Sequence, residues 1–270
     1  MTLGSARRSF ELSNEFRSLA SATQRNYREA LQRLSTLDDI DLPLIRRSAL
    51  LGLLDALNDR PGSATIFLTT AKRFWRYAIE REWTDHNPAT GLRAPKLGEH
   101  RRWEPDEVRA FLEGASPHVR IGILLALYSG QRLSDICRMK WSDISEGAIH
   151  VVQRKTGNEL FIPVHADLGV ALEAHGLDKH SVYILGDSYA ANPSAYRAVF
   201  QRDRTRLGVR GVRFHGLRRA CASLLAEGGA STREIMAIGG WRSSRLVDLY
   251  TRQADQRTLA VSAMSKMRAL

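Results

Sequence analysis

Four separated stretches of this sequence hold residues whose types could act together on a phosphate ester. The first is Tyr128-Ser129-Gly130-Gln131-Arg132-Leu133-Ser134-Asp135-Ile136. The second is Lys155, in the turn signal Lys155-Thr156-Gly157-Asn158. The third is His215-Gly216-Leu217-Arg218, and the fourth is Gly239-Gly240-Trp241 followed nine residues later by Tyr250. Breaking a phosphodiester without a metal requires a nucleophile, charge stabilisation on the non-bridging oxygens and a proton for the leaving oxygen. A tyrosine hydroxyl can be the covalent nucleophile. Arg132 and Arg218 carry fixed, permanently charged forks that clamp phosphate, and such preorganised donors usually supply the largest share of catalysis. His215, three residues before Arg218, shares its helix face and can donate to the phosphate or assist proton transfer. Lys155, on a mobile hairpin, can reach the leaving oxygen as general acid. The Trp241 indole N–H donates only, so it can hydrogen-bond a phosphate oxygen but cannot shuttle a proton. Asp135 is placed to orient Arg132 or the hairpin.

Singly, these residues read as ordinary: an arginine after a glycine is usually a solvated loop residue, and most tyrosines and tryptophans pack. Their order and spacing carry the reading, and the elements around them must then bring them together. Apolar positions predict helices near 117–129, 133–138, 166–175, 193–207, 215–227, 231–238 and 244–250. Two β-rich runs, Ala148–Gln153 and Glu159–Val164, flank the turn and predict a hairpin. The first 90 residues read as helices: one opening at Ser21, one running from Pro43 to about Leu57, and one from Ser63 to about Glu82. The Pro- and Gly-bearing segment from Asn87 to Lys96 reads as irregular and marks a boundary.

The chain of 270 residues carries 40 Lys+Arg against 29 Asp+Glu, a formal net charge of +11. A polyanionic partner follows, nucleic acid in preference to a membrane surface. At 43 % hydrophobic and 26 % charged the chain can bury a core, which excludes disorder, collagen-like repeats and a secreted disulfide scaffold. No stretch approaches 18 uncharged apolar residues, so no span is expected. The N-terminal residues lack a signal-peptide pattern. Two cysteines, Cys137 and Cys221, without a Cys/His cluster of zinc spacing, suggest a reducing compartment and no structural zinc. Arg197 to Arg219 holds eight Arg and a single acid, Asp203.

The full set closely resembles the tyrosine recombinase (phage integrase) family. Arg132 matches the first arginine of that family's G-x-R pattern, Lys155 its hairpin lysine, His215 and Arg218 its H-x-x-R pair, and Tyr250 its nucleophile. Trp241 stands where most members have histidine and some have tryptophan. The similarity covers nearly all of 103–252 in detail. It implies a mainly α fold with a small β-sheet or hairpin: a helical core-binding domain over 1–95, a linker over 96–102, and a mixed α/β catalytic domain over 103–270 with a C-terminal tail. It further implies that Tyr250 attacks the scissile phosphate to form a 3′-phosphotyrosyl link, and that strands exchange through a Holliday junction without metal, ATP or other cofactor.

The partners implied are duplex DNA with specific recombination sites and a homo-tetramer on paired sites, the free protein being a monomer or weak oligomer. An accessory directionality or host factor fits the same scheme, a membrane does not, and the place of action is cytoplasmic, at the nucleoid. Lys72, Arg73 and Arg76 on one helix face, with Arg202, Arg204 and Arg213, are the candidates for backbone contacts. The tail, with Leu259, Met264 and Met267 near one helical face, is expected to dock on a neighbouring protomer. Because Ser21 reads as the start of the first helix, no separate arm-binding domain is expected before it. The alternatives are a type IB topoisomerase-like strand transferase and a non-catalytic DNA-binding regulator derived from an integrase.

Overall fold

The computed structural model describes residues 1–96, 101–174, 180–251 and 256–267; within them the side chains of 246, 249–251, 256–259 and 262 are outside the described set. The chain divides into two compact units, Met1–Glu99 and His100–Leu270.

The first unit is helical: α1 (Leu3–Leu12), α2 (Asn14–Arg17), α3 (Ser21–Gln32), α4 (Arg47–Asp55) and α5 (Pro61–Ile79). The helix opening at Ser21 is therefore third, not first. Leu3, Ala6 and Phe10 fall on the inner face of α1, and Thr2 caps it by accepting from the Ser5 N–H. Phe10 is the centre of an edge-to-face cluster, with ring centroids 5.4 Å from Phe16, 5.8 Å from Phe74 and 5.0 Å from Tyr77. Where Pro43 led the sequence to predict a long helix, a single 3-10 turn (Leu42–Leu44) precedes α4. Pro61 opens α5, where a missing N–H costs nothing.

The second unit comprises α6 (Pro105–Gly114), α7 (Pro117–Ser129), α8 (Leu133–Ile136), α9 (Ala166–Ala174), α10 (Asp187–Ala191), α11 (Pro193–Arg206), α12 (His215–Glu227), α13 (Thr232–Gly239), α14 (Ser244–Thr251) and α15 (Gln256–Ser265). Between α8 and α9 lies an antiparallel sheet in the order β1 (Ile144–Ser145), β2 (Ala148–Val152), β3 (Glu159–Pro163). Both hairpin strands end one residue earlier than their sequence pattern. Val152 pairs with Glu159, and Gln153 already belongs to the turn, its carbonyl accepting from Gly157 N–H at 2.7 Å. The two-residue β1 is too short to show a period of its own. Helices α7 and α12 pack together in the core around Ile121, Leu125, Leu217 and Ala220. The apolar run in α7 is buried on nearly every side, as a central helix requires. Among the described residues no helix is long and apolar enough to cross a membrane.

Candidate active site

The site of the second unit is assembled where α7 and α13 both end. Gly130 closes α7 in the left-handed region (φ 63°), donating its N–H to Ala126 O at 2.9 Å. A side chain there meets a crowded wall, since a Cβ would stand 3.2 Å from Cys221 Sγ and 3.5 Å from the Trp241 ring. Arg132 leaves this turn in extended conformation to start α8. Helix α13 opens with a capping box of Ser231 and Glu234 and ends at Gly240, also left-handed.

Arg218, one turn into α12 and only 3 % exposed, reaches both helix ends. Its Nη1 donates to Gly130 O at 2.5 Å and to Gly239 O at 2.9 Å. Terminal carbonyls carry the negative end of a helix dipole, so two of them compensate the buried cation. The guanidinium carbon also lies 4.1 Å from the centroid of the Trp241 ring. Trp241 is buried in that position because Gly239 has no side chain: a Cβ would fall 1.9 Å from its ring. The Trp241 ring is thus the wall behind an arginine.

Asp135 sits between Arg132 and the hairpin. Its Oδ1 accepts from the Arg154 backbone N–H at 3.2 Å, and its Oδ2 lies 3.9 Å from Arg132 Nη1. That Nη1 is buried and has no hydrogen-bond partner among the described residues. A permanently charged donor in such a state is suited to an anionic oxygen. His215, the first residue of α12, is exposed and shares with Arg132 a cleft of ≈ 640 Å³, whose other cationic walls are Arg197, Arg204 and Arg213. Lys155 is exposed at the tip of the β2–β3 turn. Tyr250 lies in α14, which is anchored through buried Val247 to a cluster containing Ala222, Ile235 and Trp241. The Tyr250 side chain lies outside the described residues.

Two other tyrosines of this unit are poor nucleophiles. The Tyr128 hydroxyl is pushed up to about 12 by burial and by its 2.7 Å hydrogen bond to Asp167, and burial raises that of Tyr196 well above the ordinary tyrosine value. The thiols of Cys137 and Cys221 are pushed up to about 12 by burial, consistent with small packing residues.

The candidate backbone contacts divide unevenly. In the first unit Arg73 is held by Glu15 at 2.6 Å, Arg76 lies 3.5 Å from the same carboxylate and 3.7 Å from Glu80, and Lys72 donates to Leu92 O at 3.1 Å. Two of that face's three cations are therefore partly neutralised. In the second unit Arg202 and Arg213 are exposed, whereas Arg204 is half-buried and donates to Val212 O at 2.5 Å. Arg197 opens the arginine-rich stretch that the sequence marks, whereas nothing in the sequence singles out Gln131, Gln153, Asn158 and Arg242, which tie the hairpin to the helix ends. Arg197 is one of the eight arginines of its stretch and has a local signal; the others meet partners 22 to 107 residues away.

The fold and this convergence define a family, and comparison with known proteins gives the same one. The model of the phage integrase family matches residues 101–257, so the chain belongs to that family. It is 31 % identical over 186 residues to the integrase of Enterobacteria phage 434 (65 % of this chain, 52 % of that protein) and 30 % identical over 186 residues to that of Escherichia phage lambda (65 % and 52 %). The chain thus spans about half the length of these relatives. Among solved structures it is similar to a lambda integrase dimer bound to a COC′ core site, with TM-score 0.83, 25 % identity and coverage of 93 % of this chain and 95 % of that one. It is also similar to a lambda integrase tetramer bound to a Holliday junction, with TM-score 0.80, 25 % identity and coverage of 90 % and 78 %.

Proposed function

We propose that this chain is a site-specific DNA recombinase that cleaves and rejoins strands through a tyrosine. The observation that carries the reading is the convergence of the Arg132 segment, Arg218 and Trp241 on the ends of α7 and α13, beside a cleft walled by further arginines. In this mechanism the Tyr250 oxygen forms a bond to the scissile phosphorus and its proton passes to His215 or solvent. Arg132 and Arg218 hold the non-bridging oxygens, with the Trp241 N–H as a further donor. As the bond to the 5′ oxygen breaks, Lys155 gives that oxygen a proton, leaving a 3′-phosphotyrosyl link and a 5′-hydroxyl. A 5′-hydroxyl from a partner duplex then reverses the step and the strands exchange. The link retains the ester, so the scheme requires neither ATP nor a metal. The first unit holds the flanking duplex, and four copies assemble on two sites, as the lambda integrase tetramer bound to a Holliday junction suggests. Exposed Met264 and Met267 on the tail suit docking on a neighbouring protomer, the Leu259 side chain lying outside the described residues.

The test begins with covalent capture of duplexes from a randomised, nicked library, followed by incubation of two duplexes carrying the recovered sequence in chelator. Exchanged strands support the proposal. Relaxation of a supercoiled plasmid bearing the sequence, without exchange, places the chain with topoisomerase-like strand transferases. Binding without any covalent capture leaves the regulator reading.

A further inference from the structure

We propose that Gln153 is the positioning residue that sets the Lys155 hairpin against both arginine-bearing segments, so that it acts on the reaction through proton delivery by Lys155. The inference rests on the reading of Lys155 as general acid given above.

Gln153 is 0 % exposed and lies two residues before Lys155. Its Nε2 donates to Gln131 Oε1 at 2.7 Å and to Gly239 O at 2.8 Å, and its Oε1 accepts from Thr156 Oγ1 at 2.7 Å. Both amide hydrogens and the amide oxygen are thereby engaged, each on a different segment. Gln131 is the immediate neighbour of Arg132, and its own Nε2 is fixed by Ser129 O at 2.8 Å and Ile238 O at 3.1 Å. Gly239 O is the same carbonyl that accepts from Arg218. Thr156 follows Lys155 in the turn. One buried amide therefore touches the Arg132 loop, the carbonyl that holds Arg218, and the turn that carries the lysine.

The amide is closely packed against Gly240. A Cβ on Gly240 would stand 2.6 Å from Gln153 Nε2. On the outside of the turn Arg242 donates to Thr156 O and to Asn158 Oδ1, so the hairpin is held from its core side by Gln153 and from its solvent side by Arg242. An apolar residue of similar size at 153 keeps the volume but frees the Thr156 hydroxyl and leaves the Gln131 carbonyl unsatisfied. The turn can then leave the depth at which Lys155 meets the phosphate.

The test compares single-turnover cleavage of captured nicked duplexes whose scissile phosphate has either oxygen or sulfur at the 5′-bridging position. A sulfur leaving group departs as a thiolate and takes no proton, so it removes the need for the general acid and leaves every other demand in place. Lys155→Ala is expected to lose about a hundredfold or more on the oxygen substrate and to approach the wild-type rate on sulfur. Gln153→Leu is expected to lose on the order of tenfold on oxygen and less than about threefold on sulfur. Thr156→Val removes a single hydroxyl at a half-buried turn position, so it does not depend on the core accepting a new residue. It should show the same pattern at smaller size. If Lys155→Ala is rescued by sulfur but Gln153→Leu and Thr156→Val lose equally on both substrates, or lose nothing, the positioning role is wrong. If sulfur does not rescue Lys155→Ala, the general-acid reading fails, and this inference with it.

Discussion

Nη1 of Arg218 gives its two hydrogens to the carbonyls of Gly130 and Gly239, and its plane rests on Trp241. A guanidinium so held does not have to be ordered when substrate arrives, and its charge is already compensated by two helix ends. Lysine cannot reproduce the fork. Arg218→Lys is therefore expected to slow strand cleavage by about a hundredfold to a thousandfold, the usual cost of removing one preorganised donor, with DNA affinity changed far less; single-turnover rates against gel-shift affinities check it. At Trp241 the two jobs separate by substitution. Trp241→Ala should cost about 3 kcal/mol of stability in urea unfolding, because the ring fills a buried site against Gly239. Trp241→Phe should keep most of that stability and lose the donor. The candidate set can be named from the sequence because the order and spacing of its arginines, histidine, lysine and tyrosine are a local signal. What was not legible is how an arginine is held: the carbonyls of Gly130 and Gly239 lie 88 and 21 residues from Arg218, and backbone acceptors have no sequence signature.

Helices α7 and α13 owe their convergence to glycines at their ends. Gly130→Ala should destabilise the second unit by about 1–2 kcal/mol, combining a left-handed φ with the approach of Cys221 Sγ, and should reduce cleavage in parallel by displacing Arg132; unfolding midpoints and rates on the same sample test both. Helix α6 carries a pH-dependent element. The hydrogen bonds of the Arg101 guanidinium hold the Glu107 carboxyl below the ordinary range, and the Glu104 N–H adds to this. A carboxylate with a lowered folded-state pKa contributes stability that is fully present above the unfolded value near 4.5 and is lost as pH falls through the folded value. Glu107→Gln should flatten that part of the stability profile while costing about 1 kcal/mol or less near neutrality. Sequence periodicity located most helices because their apolar spacing is long enough to read. It missed α1, where buried Arg7, neutralised by Asp38 at 2.8 Å, interrupts the apolar face, and also α2, α10 and β1, whose four, five and two residues are too short to show a period.

Over the whole molecule the net charge of +11 resolves into distinct populations. Arg132 and Arg218 belong to the candidate site, Arg197 and Arg213 line the cleft beside Arg132, and Arg73 pairs with a carboxylate of its own unit. Binding should weaken steeply with salt, with a slope of about −0.9 per phosphate neutralised. Arg197→Gln and Arg213→Gln should each make the slope shallower by about that amount, whereas Arg73→Gln should change it less, Glu15 being its partner already. Deleting 254–270 should impair assembly of protomers on DNA while leaving binding of one protomer to a half-site intact; unchanged assembly in native gels contradicts tail docking. The most direct measurement of the account is covalent trapping on a nicked duplex library with wild type and Tyr250→Phe. The account predicts a denaturation-resistant protein–DNA adduct with wild type, its attachment mapped by peptide mass spectrometry to Tyr250, and none with the phenylalanine variant. An adduct that persists in Tyr250→Phe, or maps to another residue, contradicts it.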